Sequence, residues 1–531
     1  MSEFATLKEL LRGVTHRFAD ETAFVLPGRA DDETITYGAF ARDVDAFGTA
    51  LLARGLRGSR IAVLGPNSYR WIVAYFAAAC GGNAVVPLDR DLPAEDLLPL
   101  LENSGAAALV YAPDYEDMIP AFEESAGGLR RIRMDTDMRD MLAEGRALLA
   151  KGDEAFSACA VSPDDLATIV YTSGTTGASK GVALTHANIA ADAAAAAERV
   201  PQGGRCVLAL PLHHTLGMLA GVIVPLMNGI VNCVSRSVTS VGKDMVKMQA
   251  TVAVLVPAFV EAIYDKILAA AEERGQAGKL RAGLMLGRAM TKLGMGAPRN
   301  LFSDALAAMG GELRQVFCGG APISARIVGD FRAMGVEILN CYGITECAPV
   351  VSVSLPGGKI GSAGLPVRCN TVRIAGGEIQ VRGDNVMRGY YRDEAATRAA
   401  FTPDGWLKTG DLGRLDRAGR LYVTGRIKHL IILSNGKNIS PEALEEKLRA
   451  IPGVKEAAVY GEDGKLAAEI YIDPQAASTE ADVRGGIAKL NGSLPQHMRI
   501  GIVKFRGSEF EKTTTMKIKK HAIHDNKGES P

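Results

Sequence analysis

The chain carries no excess charge of either sign: its 531 residues include sixty basic and sixty acidic side chains. No global field therefore draws it to nucleic acid or anionic lipid, and nucleic acid is not an expected partner. Only the Lys-rich stretch 512–520 offers a local basic patch. Metal-binding spacing is also missing. The eight cysteines are scattered without a C-x-x-C, and His213 and His214 are adjacent, so they do not form the i, i+4 pair of a helical zinc site. The thiols are expected to be reduced and mostly buried, as in a cytoplasmic protein. Long apolar runs are absent as well. The most apolar stretch, 217–231, is shorter than a bilayer span and contains Pro225 and Asn228, which places it in a core. The opening MSEFATLKELLRG holds Glu3 and no apolar centre, so it does not read as a signal peptide. The expected location is cytoplasmic, with no transmembrane segment and with peripheral membrane contact left open.

What is present is length, glycine and alternation. A chain of 531 residues exceeds one hydrophobic core, so two or more domains are expected. Glycine, 59 residues or about 11% against a usual ~7%, points to many tight turns. Short β-rich runs alternate with helical patterns at 60–66, 84–89, 108–112, 166–172, 205–211, 251–257 and 314–320, which argues for an α/β fold. A helical stretch of mixed charge follows from Phe259 to about Asn300. From Asn370 the texture changes to short strands with glycine turns, read as a small β subdomain. After Gly425 a compact α+β pattern begins, with a strand at 430–433, a turn NGKN and a helix capped by Ser440 with Pro441 first in line. The expected division is a large N-terminal domain, 1–425, and a small mobile C-terminal α+β domain, 426–531, with the joint near 425–428.

YTSGTTGASKG, residues 171–181, looks like a phosphate cradle, yet it is not the common P-loop. There, G-x-x-x-x-G-K-[ST] opens directly into a helix. Here two residues separate Gly177 from Lys180, Gly181 follows the lysine, and VALT (182–185) reads as extended. A helix starts only near His186, with Thr185 as its cap. The loop therefore sits between two strands, and hydroxyls, glycine-freed backbone N–H groups and Lys180 must bind the anion without a helix terminus.

This run resembles the signature of the adenylate-forming superfamily of acyl- and aryl-CoA synthetases, peptide-synthetase adenylation domains and luciferases. ITYGAF (35–40), 61–89, PLHHTLG (211–217), GGAPI (319–323), YGITE (342–346), KTGDLG (408–413) and GRIKHLIILSNGKNISPEALE (425–445) match the family in order, so the likeness covers nearly the whole chain. It implies that a carboxylate attacks the α-phosphate of ATP, pyrophosphate leaves, and the acyl group passes to a thiol. Charge neutralisation and positioning are then the catalytic problem.

The resemblance implies the following roles. Thr172, Ser173, Gly174, Thr175, Thr176, Gly177 and Lys180 hold the leaving phosphates. Glu346, beside Thr345, suits a Mg²⁺ ligand, with Thr172 a second contact to the metal. Gly319, Gly320, Ala321, Tyr342, Gly343 and Val423 border adenine. Asp411 accepts the ribose hydroxyls, and Arg426 reaches ribose or phosphate. His214 borders the acyl channel, whose walls are sought in parts of 214–225, 259–264 and 348–353. Lys517 touches both carboxylate and α-phosphate, although Met516 replaces the usual preceding glycine. Lys428 is the hinge about which the small domain turns, His429 stands where an acidic residue is often found, and Gly436 then lines the channel for CoA. The segments 260–302 and 434–445 look most like the long-chain fatty acid–CoA ligase branch. ATP, Mg²⁺ and CoA are the expected cofactors and co-substrates. A carrier protein as acceptor, an aryl or branched acid, and a non-catalytic nucleotide binder stay open as alternatives.

Overall fold

The computed structural model describes residues 4–28, 31–125, 128–172, 179–235, 237–432, 438–462, 464–474, 476, 478–512 and 518. Every strand expected from the β-rich runs is present. Arg60–Leu64, Ala84–Pro87, Ala108–Tyr111 and Arg130–Arg133 run parallel in one sheet. That sheet ends in the antiparallel hairpin Leu166–Thr172 and Lys180–Thr185, then the edge strand Gly389–Tyr390. A second, larger sheet has a parallel centre made of Glu337–Gly343, Gln315–Cys318, Val252–Leu255, Arg205–Val207, Val231–Cys233 and Thr22–Leu26.

Side-chain alternation along the strands stacks these sheets into layers. Ile61 and Val63 enter one core while Ala62 and Leu64 enter another. Val252 and Val254 share the core of Ile61, whereas Ala253 and Leu255 face away from it. The two sheets therefore face each other across a common layer of helices, and each carries further helices outside. Helix Tyr69–Cys80 lies in the central layer and is buried from Trp71 to Cys80, which is why its sequence lacks a polar face. Both faces of these strands being covered explains their continuous apolar runs.

The expected β subdomain is a four-stranded antiparallel sheet of Asn370–Ala375, Glu378–Gly383, Leu407–Leu415 and Leu421–Arg426. Beyond it, strands Val454–Glu462, Lys465–Ile472 and Ile500–Arg506 pack with helices Pro441–Arg449 and Glu480–Ser493 around a separate core that includes Leu444, Leu448, Ile470 and Val483. Strand Leu421–Arg426 stays in the large region's sheet to its last residue, where Arg426 pairs with Asp411.

Local expectations fare unevenly. Thr185 caps helix His186–Ala197 in a reciprocal box with Asn188. The mixed-charge stretch forms helices Pro257–Glu273 and Ala277–Lys292. The apolar segment 217–231 is core, not span, and no helix among the described residues is long and apolar enough to cross a membrane. Ser440 occupies the N-cap position of helix Pro441–Arg449, but its hydroxyl does not cap: it donates to the Thr424 carbonyl and lies 2.7 Å from Glu442 Oε2.

Candidate active site

The candidate residues converge where strands Gln315–Cys318 and Glu337–Gly343 end, the usual place for ligands in parallel α/β sheets. On one side stands the phosphate hairpin. Thr172 and Lys180 are paired across its open end, and the intervening 173–178, with Ser173, Gly174, Thr175, Thr176 and Gly177, lie outside the described residues. Lys180 Nζ is 5.1 Å from the ring centroid of Tyr390, within cation–π range. The Tyr390 hydroxyl donates to Glu346 Oε1 at 2.8 Å. Burial, together with that carboxylate, pushes the phenol above its ordinary range, so it remains a donor at neutral pH. Tyr390 thus joins Lys180 to Glu346, a role unread in the sequence.

Glu346 lies in the short turn Thr345–Cys347, and a buried polar network fixes that turn. Asn385 Nδ2 donates to the carbonyls of Cys347 and Val350 at 2.9 and 2.8 Å, and to Asp192 Oδ1 at 3.0 Å. The Val350 N–H donates to Asp192 Oδ2 at 3.0 Å. The Met387 N–H bonds the Glu346 carbonyl, and Asn188 holds the carbonyls of Asp384 and Val386. Asp192 and Asn385 are fully buried, and burial raises the Asp192 carboxyl to about 8 in spite of its donors. The stretch 384–390 therefore straps the helix of Asp192, the Lys180 strand and the Glu346 turn together. Among the described residues Glu346 Oε2 accepts no hydrogen bond. A hard, directed carboxylate oxygen of this kind fits a Mg²⁺ ligand.

The nucleotide side is built on Asp411, 3% exposed on strand Leu407–Leu415. The Tyr342 hydroxyl donates to its Oδ2 at 2.8 Å and Arg426 Nε to its Oδ1 at 2.6 Å. Each oxygen keeps a lone pair for a further donor. Burial and Asp411 raise the Tyr342 phenol well above its usual range. Gly319 and Gly320 follow strand Gln315–Cys318, Gly320 with φ +89° that a side chain would strain, and Ala321 is exposed beside them. A Cβ on Gly343 would come within 2.0 Å of the Pro349 carbonyl, so the strand end and the turn touch through bare backbone. Val423 is exposed on the strand that carries Arg426.

From Gly319 and Cys341 a narrow apolar cavity of about 40 Å³ leads away between the larger sheet and the central helices. Leu216, Ala220, Val224, Pro225, Val350 and Val353 line it, as two of the three expected wall segments predict. The third segment is absent from this wall, although Phe259 packs against the central core beside it. Val260 and Tyr264 belong to helix Pro257–Glu273 on the opposite face of the sheet, in a separate core. His214 is not in the wall either. It packs on His213 with ring centroids 4.3 Å apart, two residues before Leu216. Asp89 joins this pair, its Oδ1 3.2 Å from His213 Nε2, a proximity no local spacing reveals. Burial drives the His213 imidazole well below its ordinary range, so it is neutral.

At the joint, Lys428 is exposed, and partial desolvation with Arg426 nearby lowers its ammonium pKa. His429 Nδ1 lies 2.6 Å from Glu442 Oε1, so the residue replacing the usual acid has an acid opposite it, on helix Pro441–Arg449. Gly436, Met516 and Lys517 lie outside the described residues. Lys512 and Ile518 pair in an antiparallel bridge, and Lys512 Nζ is anchored on Glu456 and Glu509 at 2.5 and 2.7 Å.

Comparison with known proteins places the chain in a family. The AMP-binding enzyme family matches residues 11–391, and the AMP-binding enzyme C-terminal domain matches 428–526. The chain is similar to long-chain-fatty-acid–CoA ligase FadD15 of Mycobacterium tuberculosis, 33% identical over 473 residues, 83% of this chain and 78% of that protein. It is 30% identical to a feruloyl-CoA synthase of an Amycolatopsis species over 446 residues, 80% of each chain. Among solved structures, ATP-bound MatB from Rhodopseudomonas palustris superposes with a TM-score of 0.79 at 25% identity, covering 98% of this chain and 99% of that one. The chain belongs to the AMP-binding enzyme family, within the adenylate-forming superfamily.

Proposed function

We propose that the protein is an AMP-forming acid–thiol ligase that activates a medium- or long-chain fatty acid with ATP and transfers it to CoA. The observation that carries this reading is the junction at Gly319 and Cys341, where the polar nucleotide side meets an enclosed apolar cavity. A carboxylate whose alkyl tail occupies that cavity has its reactive end beside the Lys180, Glu346 and Asp411 groups. Relatives bearing the names long-chain-fatty-acid–CoA ligase and feruloyl-CoA synthase support an acid–CoA ligase.

Each residue then has a task. Asp411, aligned by Tyr342 and Arg426, accepts the ribose hydroxyls on its remaining lone pairs. Gly319, Gly320, Ala321, Gly343 and the exposed Val423 leave space and an apolar contact for the base. Lys180, together with Thr172 and the hydroxyls of 173–177, neutralises the departing pyrophosphate. Glu346 and Thr172 would hold Mg²⁺, which when bound would lower the charge barrier between carboxylate and phosphate. Lys517 approaches both anions from the C-terminal unit. Residues 1–425 and 426–531 form the two moving parts, with Lys428 the hinge and Gly436 lining the CoA path after rotation. Turnover of a saturated and aryl acid panel with ATP, Mg²⁺ and CoA tests the proposal. Acid-dependent pyrophosphate release followed by thioester formation is expected. Release without thioester would redirect the acceptor to a carrier protein, and no release with any acid would overturn the enzyme reading.

A further inference from the structure

The apolar cavity has a direction. Gly319 lies past the C-terminal end of its strand, whereas Cys206 and Val252 lie at the N-terminal ends of theirs, and all three line the cavity. Gln315 pairs with Val252 and precedes Gly319 by four residues. At ~3.3 Å per residue the lining residues thus span about 13 Å along the strands. Toward those N-terminal strand ends its wall includes Arg199, Val200 and Ile230, the first two half-buried.

Arg199 is the one charged residue in this wall. Arg199 is half-buried: its Nε is shielded from solvent and meets no hydrogen-bond acceptor among the described residues. The nearby acceptors are already engaged. Asn228 Nδ2 holds the carbonyls of Ala197 and Val200 at 2.9 Å each, and Glu198 pairs with Arg368 at 3.1 Å. A buried donor without an acceptor is costly, and a ligand that supplies one recovers that cost. An alkyl terminus supplies none.

Resting on the acid–CoA ligase reading, we infer that Arg199 reads the distal end of the acid, and that the pocket favours medium-chain acids bearing an oxygen acceptor there. The donor faces an otherwise apolar wall, so the middle of the chain remains hydrocarbon and only its end is polar. A hydroxyl, carbonyl or carboxylate oxygen at that end accepts the Nε–H, in a bond strengthened by the guanidinium charge.

The test uses the full chain with length-matched sets of plain alkanoates, ω-hydroxy acids and α,ω-diacids, scoring kcat/KM by pyrophosphate release. The wild type is expected to prefer an ω-oxygenated acid over its plain counterpart by about tenfold or more, the discrimination a charge-assisted hydrogen bond supplies. Arg199→Leu is expected to erase that preference by losing activity on oxygenated acids while keeping or gaining it on alkanoates. Arg199→Lys is expected to restore part of it. Equal wild-type turnover of plain and oxygenated acids overturns the inference. So does an Arg199→Leu variant that slows every acid alike or only shifts the preferred length. If Arg199→Leu fails to fold, as judged by thermal melting, the wild-type panel alone decides. Absence of release with every acid would instead strike the underlying enzyme reading.

Discussion

The Lys180–Tyr390–Glu346 half of the site and the Asp411–Arg426–Lys428 half are held in opposite ways. The first hangs from fully buried side chains, Asp192 and Asn385, whose hydrogen bonds tie three separate elements to one turn. The second spans the last two strands of a small sheet, with Asp411 buried on one and Arg426 on the other, beside exposed Val423, Ile427 and Lys428. Its polar contacts, Ser440 to the Thr424 carbonyl and His429 to Glu442, lead into the C-terminal unit. A group that must meet phosphate in the same place each time is anchored in the interior. On the proposed reading, a group beside a hinge is joined by a few partly solvated bonds that can be exchanged.

That contrast can be broken from either side. The largest effect is expected from Lys517→Ala. Acid-dependent pyrophosphate release should fall by about 10²–10³-fold, the range for removing one well-placed charge-stabilising donor. CoA-dependent turnover of a preformed acyl-adenylate should stay near the wild-type rate, and an equal loss in both steps would show that the two half-reactions do not use different faces of the C-terminal unit. Asn385→Leu should come next. It strands the buried Asp192 and two carbonyls, and should lower unfolding free energy by about 2–3 kcal/mol in denaturant melts. A neutral result would mean that the anchored half is not anchored there.

The same network predicts a pH dependence. Burial raises Asp192 to about 8, so the folded chain retains a proton that the unfolded chain releases near pH 4. Its contribution to stability is therefore complete below about pH 4 and is lost as pH rises toward about 8. Asp192→Asn should flatten the stability–pH curve across that window in denaturant melts. Tyr390→Phe keeps the ring over Lys180 but removes the bond to Glu346, and should reduce kcat/KM for ATP about tenfold at fixed Mg²⁺. The smallest effect belongs to the mobile half. His429→Ala should change thioester formation by only about two- to threefold, as expected of a partly exposed pair, and leave adenylation unchanged. A larger loss in adenylation would place His429 in the anchored half after all.

The sequence made the layered α/β frame legible because strands covered on both faces announce themselves as unbroken apolar runs, and 166–172 and 251–257 do so plainly. Glu346 and Asp411 were legible because each stands in a dense local motif. Tyr390 and Asn385 were not. Their partners lie 44 and 193 positions away, so no local spacing could signal the contact, although a glycine followed by two tyrosines at 389–391 was a hint. Residues 259–264 divide between two cores, Phe259 touching both while Val260 and Tyr264 enter the outer one: apolar content predicts burial but not which core receives it. Ser440 shows the same limit on a smaller scale, since a cap position can be read from the sequence while the direction of its hydroxyl cannot.

The course of the cavity along the strands has an evolutionary consequence. On the proposed reading, the acid's reactive end and its tail meet opposite edges of the same sheet. Substitutions at Cys206, Ile230 or Val252 could retune the tail's fit without touching the residues that handle ATP. The sheet would then insulate substrate range from chemistry, and one constant adenylation machine could serve many acids by remodelling the edge farthest from it.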